Sequence, residues 1–266
     1  MKNAIFLCFD KNYFIYAKAC INSILKNYPN YPEIIVCYKS STIDEEVINF
    51  LRPIERLKFK LFDNTIHETF NNNIVYQKFS LFIDSYFDEY DKIIYLDCDT
   101  IVMKSLDDIF KKEEFFIVSN FENAPHINVF GNLRNEKINE TLQDMYLVYP
   151  ENEWSMCNAG MFMIPKKYRT SIYFNHLIKI ERNFRDWIKY ADQSILTLWC
   201  QYFNIPISNE FKYNYQTTFD SLDFEKNDLS IIHFSGIKPD KEEFLKWNWI
   251  NNHDSLKNLF ENYLNK

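Results

Sequence analysis

Glycine is scarce in this 266-residue chain, which has three: Gly131, Gly160 and Gly236. A dinucleotide-binding fingerprint needs three glycines within six residues, and a Walker A loop needs two with a lysine following. Neither spacing occurs, so a phosphate group bound here is held by side chains and a metal, not by a glycine-rich cradle. An excess of positive charge is also lacking. Thirty basic against 37 acidic residues leave a net charge of −7, and no Lys/Arg cluster with interleaved aromatics appears. Nucleic acid is thereby excluded as a main partner, because phosphate neutralisation needs a basic face. The six cysteines (Cys8, Cys20, Cys37, Cys98, Cys157, Cys200) contain no CxxC pair, which removes zinc ribbons and thioredoxin-like motifs. Most lie in apolar runs, as reduced buried thiols do, and a cytoplasmic location is expected. Long hydrophobic runs are missing too. Ala4–Phe9 stops at Asp10 after six residues, too short for a signal-peptide core or a membrane span.

Hydrophobic residues make up 47% and charged residues 25% of the chain, the balance of a packed globular protein. Aromatics reach 18%, enough to fill a core and also line a groove for a planar or sugar ligand. Short β-rich apolar runs predict strands at Ala4–Phe9, Ile34–Tyr38, Leu57–Phe62, Lys92–Leu96, Phe115–Val118, Ala159–Ile164 and Leu229–Phe234. Helical spacing predicts helices at Tyr13–Leu25, Asp44–Leu51, Gln77–Phe87, Thr170–Phe184, from Asp192 onward, and at Lys241–Leu264. From Asn120 to Ser155 the chain is polar and less periodic, which reads as a long irregular insertion of the kind that carries function. Alternating strands and helices predict an α/β domain with a mostly parallel sheet. Neither a repeat nor a linker appears, so a single domain is expected. Ligands in such sheets sit beyond the carboxyl ends of the strands. Asp10, the pair Asp97/Asp99, and His233 all fall there.

The sharpest feature is Tyr95-Leu96-Asp97-Cys98-Asp99-Thr100. In extended chain, residues i and i+2 share a side, so Asp97 and Asp99 can converge on one hard cation. Oxygen ligands with open positions suit Mg²⁺ or Mn²⁺ bridging to a diphosphate. The bland alternative is a strand-end turn with two solvated acids. His233, in His233-Phe234-Ser235-Gly236-Ile237-Lys238-Pro239, can add an imidazole to the same metal, and a mixed N/O shell favours Mn²⁺ over Mg²⁺. Gly236 lets backbone approach a phosphate, and Lys238 can neutralise it. In Asn158-Ala159-Gly160, an amide for sugar hydroxyls precedes small residues that leave room for a ring; the alternative is a bulged strand entry. Asp192-Gln193 offers a carboxylate and an amide at a helix start, where a simple cap is the alternative. Asp10 or Asn12 can pair with a base or ribose and Tyr13 can stack on it, or the segment is a turn and cap. Lys78 alone reads as a solvated lysine.

In this order the residues resemble glycosyltransferase family 8, over most of the chain from Ala4 to Pro239. The resemblance implies a GT-A-type domain over 1–240 with a Rossmann-like nucleotide-binding half, and a helical extension over 241–266 packed on it. It also implies a UDP-hexose donor, Mn²⁺ with Mg²⁺ as a substitute, and transfer with retention to a glycan or glycolipid acceptor in lipopolysaccharide or other cell-surface polysaccharide assembly. Carried onto this sequence, Asp10, Asn12 and Tyr13 hold uridine, and Asp97, Asp99 and His233 ligate the metal. Lys78, Asn158, Ala159, Asp192 and Gln193 face the donor sugar, with Asp192 and Gln193 at the reacting carbon. Gly236 and Lys238 hold the diphosphate. Two departures stand out: one residue, Ile237, separates Gly236 from Lys238 where the family usually has two, and Asp240 replaces a tryptophan after Pro239.

Two other readings fit parts of the pattern. A haloacid-dehalogenase-type phosphatase would use Asp97 as nucleophile, but Thr100-Ile101 follows where Gly-Thr is usual, and no glycine precedes an aspartate. A non-catalytic sugar-nucleotide-binding protein would keep the same ligands. From Lys238 to Lys266, five lysines balance five acids, so no polybasic anchor exists and at most a peripheral contact with the inner membrane face is expected. Trp247 and Trp249 suit either an interface or the core.

Overall fold

In β1 (Asn3–Asp10) the residues Ala4 to Leu7 are all fully buried. A continuous apolar run of this kind marks a strand covered on both faces, as in parallel sheets. The period of two divides it: Ala4 and Phe6 enter one hydrophobic core, Ile5 and Leu7 the other. β2 (Glu33–Lys39) and β4 (Lys92–Leu96) split in the same way, Ile35 and Ile93 to the first core, Ile34 and Ile94 to the second.

The computed structural model describes residues 1–39, 44–62, 64–70, 74–120, 129–130, 136–145, 156–217, 228–236, 238–242 and 253–265. With β3 (Leu57–Leu61), β6 (Phe116–Ser119) and β7 (Cys157–Pro165), the strands form a six-stranded sheet in the order β3-β2-β1-β4-β7-β6. The first four are mutually parallel, whereas β7 runs antiparallel to both β4 and β6. A second sheet has the order β5-β9-β8, from β5 (Thr100–Val102), β8 (Tyr215–Gln216) and β9 (Ile231–His233). This mixed α/β architecture meets the expectation of a mostly parallel mixed sheet.

Helices α1 (Phe14–Asn27), α2 (Glu45–Leu51), α6 (Ser171–Phe184) and α7 (Ala191–Tyr202) lie where their spacing predicts them. Among the described residues, five short strands and helices had no sequence signal: β5, β8, α3 (Asn64–Thr69), α4 (Asp107–Phe110) and α5 (Glu136–Asp144). The last puts a helix inside the stretch expected to be irregular; 121–128, 131–135 and 146–155 lie outside the described residues. The Gln77–Phe87 helix is corrected to two 3-10 segments, Ile74–Phe82 and Ser85–Phe87. All side chains from Tyr76 to Phe82 are buried, so packing on several sides sets this path rather than one amphipathic stripe. Of the helix expected over Lys241–Leu264, α8 (His253–Leu264) is described, and 243–252, with Trp247 and Trp249, fall outside the described residues. Helix α8 packs on α1 through Tyr16 and Phe260, with Asn22 Nδ2 donating to the Tyr263 carbonyl at 2.7 Å.

All six cysteines are free and five are buried. Burial pushes the Cys20 and Cys157 thiols up to about 12, which keeps them protonated and unreactive. Among the described residues, no helix is long and apolar enough to cross a membrane.

The aromatic wealth concentrates around Trp199 on α7. It is fully buried against Phe82, Phe115, Tyr173 and Phe203, and its indole N–H donates to the Tyr173 carbonyl. Trp199→Ala is expected to cost about 3–5 kcal/mol through the cavity it leaves, read as a lower urea midpoint.

Candidate functional site

The antiparallel course of β7 makes the site. Because β7 begins where β4 ends, Met161 pairs with Leu96, and the Asp97 N–H donates to the Gly160 carbonyl at 2.8 Å. Asp97-Cys98-Asp99 is a turn between β4 and β5, not the extended chain that the i, i+2 argument assumed. The turn still brings both carboxylates together, with Cys98 buried and its thiol directed to the Cys8 carbonyl. On the other side, antiparallel β5–β9 pairing sets Thr100 opposite His233, and the Phe234 N–H donates to the Asp99 carbonyl at 2.9 Å. A cavity of about 360 Å³ opens here, walled by Asp10 and Tyr13, Asp97 and Asp99, Asn158 to Gly160, Asp192 and Gln193, His233, Gly236 and Lys238.

Asp97, Asp99 and His233 form a compact donor set whose ligand atoms lie within 4.8 Å of one another. His233 Nε2 is 3.4 Å from Asp99 Oδ1 and 3.9 Å from Asp97 Oδ2. Two carboxylates and an imidazole suit a divalent ion that accepts mixed N/O ligation. Three carboxylates in this neighbourhood face two ammonium groups. Lys238 pairs with Asp99 and also donates to the Phe234 carbonyl. Burial alone would raise the Asp99 carboxyl, but the Lys238 ammonium beside it holds it well below the ordinary range. Lys78 is buried behind the cavity wall, and its three donors meet Asp192 at 2.6 Å, the Ala159 carbonyl at 3.0 Å and Asp97 at 3.2 Å. Burial opposes its charge, yet Asp192 and Asp97 raise its pKa above the usual lysine value. The solvated-lysine alternative therefore fails. Burial raises the Asp192 carboxyl, and Lys78 pulls against that shift. Just before it, Ala191 takes a φ of 35°, a strained entry for a non-glycine residue.

Gly160 does leave room for a ring, and within the protein that ring is the His233 imidazole. A Cβ at Gly160 would land on its Cε1 and Nδ1. Beside it, the Asn158 carboxamide is used within the protein. Its Oδ1 accepts from the Gly160 N–H (2.9 Å) and Asn214 Nδ2 (2.8 Å), while Nδ2 faces Gln216, Gln193 and Asn120 oxygens at 2.9, 3.1 and 3.2 Å. Asn214 and Gln216, on and beside β8, carried no motif by which sequence reasoning could find them.

At the other end of the cavity, Asp10 Oδ1 caps the chain, accepting from the Asn12 and Tyr13 N–H groups at 3.0 and 3.2 Å. Tyr13 is 44% exposed with its ring against Tyr16, so a face remains for a ligand. Asn12 is exposed and does not line the cavity. Gly236 has φ 83°, a left-handed turn that favours glycine.

The glycosyl transferase family 8 profile matches residues 4–242, and the chain belongs to that family. The fold is similar to that of the galactosyltransferase LgtC solved with donor and acceptor sugar analogues, at 18% identity and a TM-score of 0.67, over 97% of this chain and 95% of that one. It is also similar to the bifunctional glycosyltransferase WbbM, at 17% identity and TM-score 0.68, over 99% of this chain but 49% of that one, so this chain spans about half its length. GlyE of Streptococcus pneumoniae TIGR4 follows at 17% identity and TM-score 0.61, over 97% and 63%. A search of the curated proteins finds no match. Family and fold thus define a glycosyltransferase of GT-A architecture.

Lys78→Met strips two carboxylates of their shared partner and is expected to destabilise the fold by about 3–5 kcal/mol near neutral pH. In the variant, burial and Asp97 hold the Asp192 carboxyl above its unfolded value. The penalty is therefore full above the raised folded pKa and fades as pH falls from there to the unfolded value, so urea midpoints of variant and parent should converge in acid. Gly160→Ala displaces the imidazole and should weaken Mn²⁺ binding roughly tenfold or more, measured by calorimetry.

Proposed function

We propose that the chain transfers a hexose, galactose or glucose, from a UDP-sugar to a glycan or glycolipid acceptor with retention at the anomeric carbon. The supporting observation is the donor set of Asp97, Asp99 and His233 opening into the same cavity as Asp192 and Gln193. In this reading Asp97, Asp99 and His233 hold Mn²⁺, or Mg²⁺ in its place. The bound ion supplies electrostatic stabilisation of the diphosphate as negative charge builds on it. Asp10, Asn12 and Tyr13 hold uridine, with Tyr13 presenting its exposed ring. Asp10 takes part from a cap position, and Asn12 reaches the ribose from outside the cavity wall. Gly236 and Lys238 hold the diphosphate, Lys238 passing from Asp99 to a phosphate oxygen. Ala159 and Gln193 face the sugar; Asn158 and Lys78 act from behind, through Gln193 and Asp192. The cell setting is the cytoplasm, with at most a peripheral membrane contact, and the pathway is assembly of a cell-surface polysaccharide such as lipopolysaccharide. The domain runs over 1–240 with 241–266 as its extension.

The geometry favours front-face displacement. The anomeric C–O bond breaks and its electron pair goes to the diphosphate oxygen. The acceptor hydroxyl oxygen bonds to the same face of that carbon and its proton passes to the departing diphosphate. Asp192 is held 2.6 Å from Lys78, an ion pair that lowers its nucleophilicity and suits electrostatic support of the oxocarbenium face. Double displacement through Asp192 predicts a glycosyl adduct on that residue in a mass spectrum; front-face transfer predicts none.

Purified protein incubated with UDP-, GDP- and dTDP-sugars should release UDP slowly from one UDP-hexose in Mn²⁺ and not in EDTA. Asp99→Asn should lower that rate by about 10²–10³. Tight UDP binding with no turnover, even with a panel of glycan acceptors, would instead indicate a binding protein. Phenyl phosphate hydrolysis lost in Asp97→Asn would indicate a phosphatase.

A further inference from the structure

The orientation of the metal-facing imidazole is decided by a chain of side-chain amides that starts at a backbone N–H. A backbone N–H can only donate, so the atom of Asn158 that meets the Gly160 N–H at 2.9 Å is its oxygen. That oxygen also lies 2.8 Å from the Asn214 side chain, whose facing atom must therefore be the nitrogen. The opposite end of the Asn214 amide is then its oxygen, 3.1 Å from His233 Nδ1. An amide oxygen only accepts, so Nδ1 carries the hydrogen. In the neutral ring Nε2 is left bare, and Nε2 is the atom that faces Asp99 and Asp97. No other tautomer satisfies the whole chain. Asn214 is fully buried and His233 is 4% exposed, so water does not substitute readily for either partner.

We propose that Asn214 is a positioning residue for this transferase: its amide fixes His233 as the Nδ1–H tautomer and so presents a bare Nε2 to the cation held with Asp97 and Asp99. The claim about metal rests on the metal-dependent reading above, whereas the claim about the tautomer does not. The same relay extends to the sugar end of the cavity, because Asn158 Nδ2 faces Gln193 Oε1 at 3.1 Å. A change at Asn214 is thus felt both at the imidazole and, through Asn158, at Gln193. Hydrogen-bond partners of metal-ligating histidines typically govern metal affinity by about 10–100-fold.

The test pairs two readouts on the full chain. Long-range ¹⁵N–¹H correlation of the metal-free protein at mildly alkaline pH reports the His233 tautomer, and calorimetry reports Mn²⁺ binding without any sugar nucleotide. The parent should show Nδ1–H with Nε2 unprotonated. In Asn214→Leu the Nε2–H form should become populated and Mn²⁺ affinity should fall about 10–100-fold. Asn214→Asp still accepts from Nδ1 but loses the donor to Asn158 Oδ1, so it should keep the Nδ1–H form that Asn214→Leu loses. A dominant Nε2–H form in the parent overturns the proposal without needing any variant to fold. So does a folded Asn214→Leu protein with unchanged tautomer and unchanged Mn²⁺ affinity. If the parent shows the Nδ1–H form, lost in Asn214→Leu, yet binds no Mn²⁺, the metal-dependent reading fails while the tautomer control by Asn214 stands.

Discussion

The antiparallel pairing of β4 with β7 is the constraint on which the site depends. It brings the start of one strand to the end of another, so that Asn158–Gly160 lies against the Asp97–Asp99 turn. A parallel neighbour would have placed its own carboxyl end there, with a loop in place of a rigid strand. The close approach also imposes the glycine: the His233 ring rests where a Cβ at position 160 would be. The second sheet completes the geometry, since β5–β9 pairing carries His233 to Asp99 from the opposite side.

Charge is balanced locally around this junction. Buried carboxylates are costly unless paired, and each here has a named partner: Lys78 for Asp192 and Asp97, Lys238 for Asp99. The two lysines differ in consequence. All three Lys78 donors are taken up by the protein interior, which makes it a fixture that ties the β4–β5 turn to α7. Lys238 reaches from the turn after Gly236 and is held by Asp99 and one carbonyl, which leaves it the more readily exchanged cation.

Much of this was legible from residue order. Continuous apolar runs marked the buried strands because burial on both faces removes alternation. The acidic pair, the late histidine and the Asn158-Ala159-Gly160 segment pointed to a candidate site through their order along the chain, since each alone also reads as a turn, a strand-end histidine or a bulged strand. The 3-10 path of Ile74–Phe82 was not legible, since a segment buried on all sides has no single stripe to read. Neither was β5, three residues long, whose strand character comes entirely from its partner β9. The Asp10 segment reads equally well as a cap and as a ligand contact, and the structure shows the cap bonds.

Sequence alone determined the class of chemistry available. Few glycines and an acidic balance exclude glycine-rich phosphate cradles and nucleic-acid faces, and the Asp-x-Asp after an apolar strand offers two carboxylates able to share one cation. Tertiary structure decided which groups act on one another. Lys78 became a buried counterion rather than a solvated surface charge, Asn158 an internal hub, and Asn214 a partner of His233. The physical reason is range. Composition and periodicity report burial and local geometry, whereas tautomer, ion pairing and hydrogen-bond direction depend on atoms brought together from residues 78, 97, 158, 192, 214 and 233 by strand pairing distant in the chain.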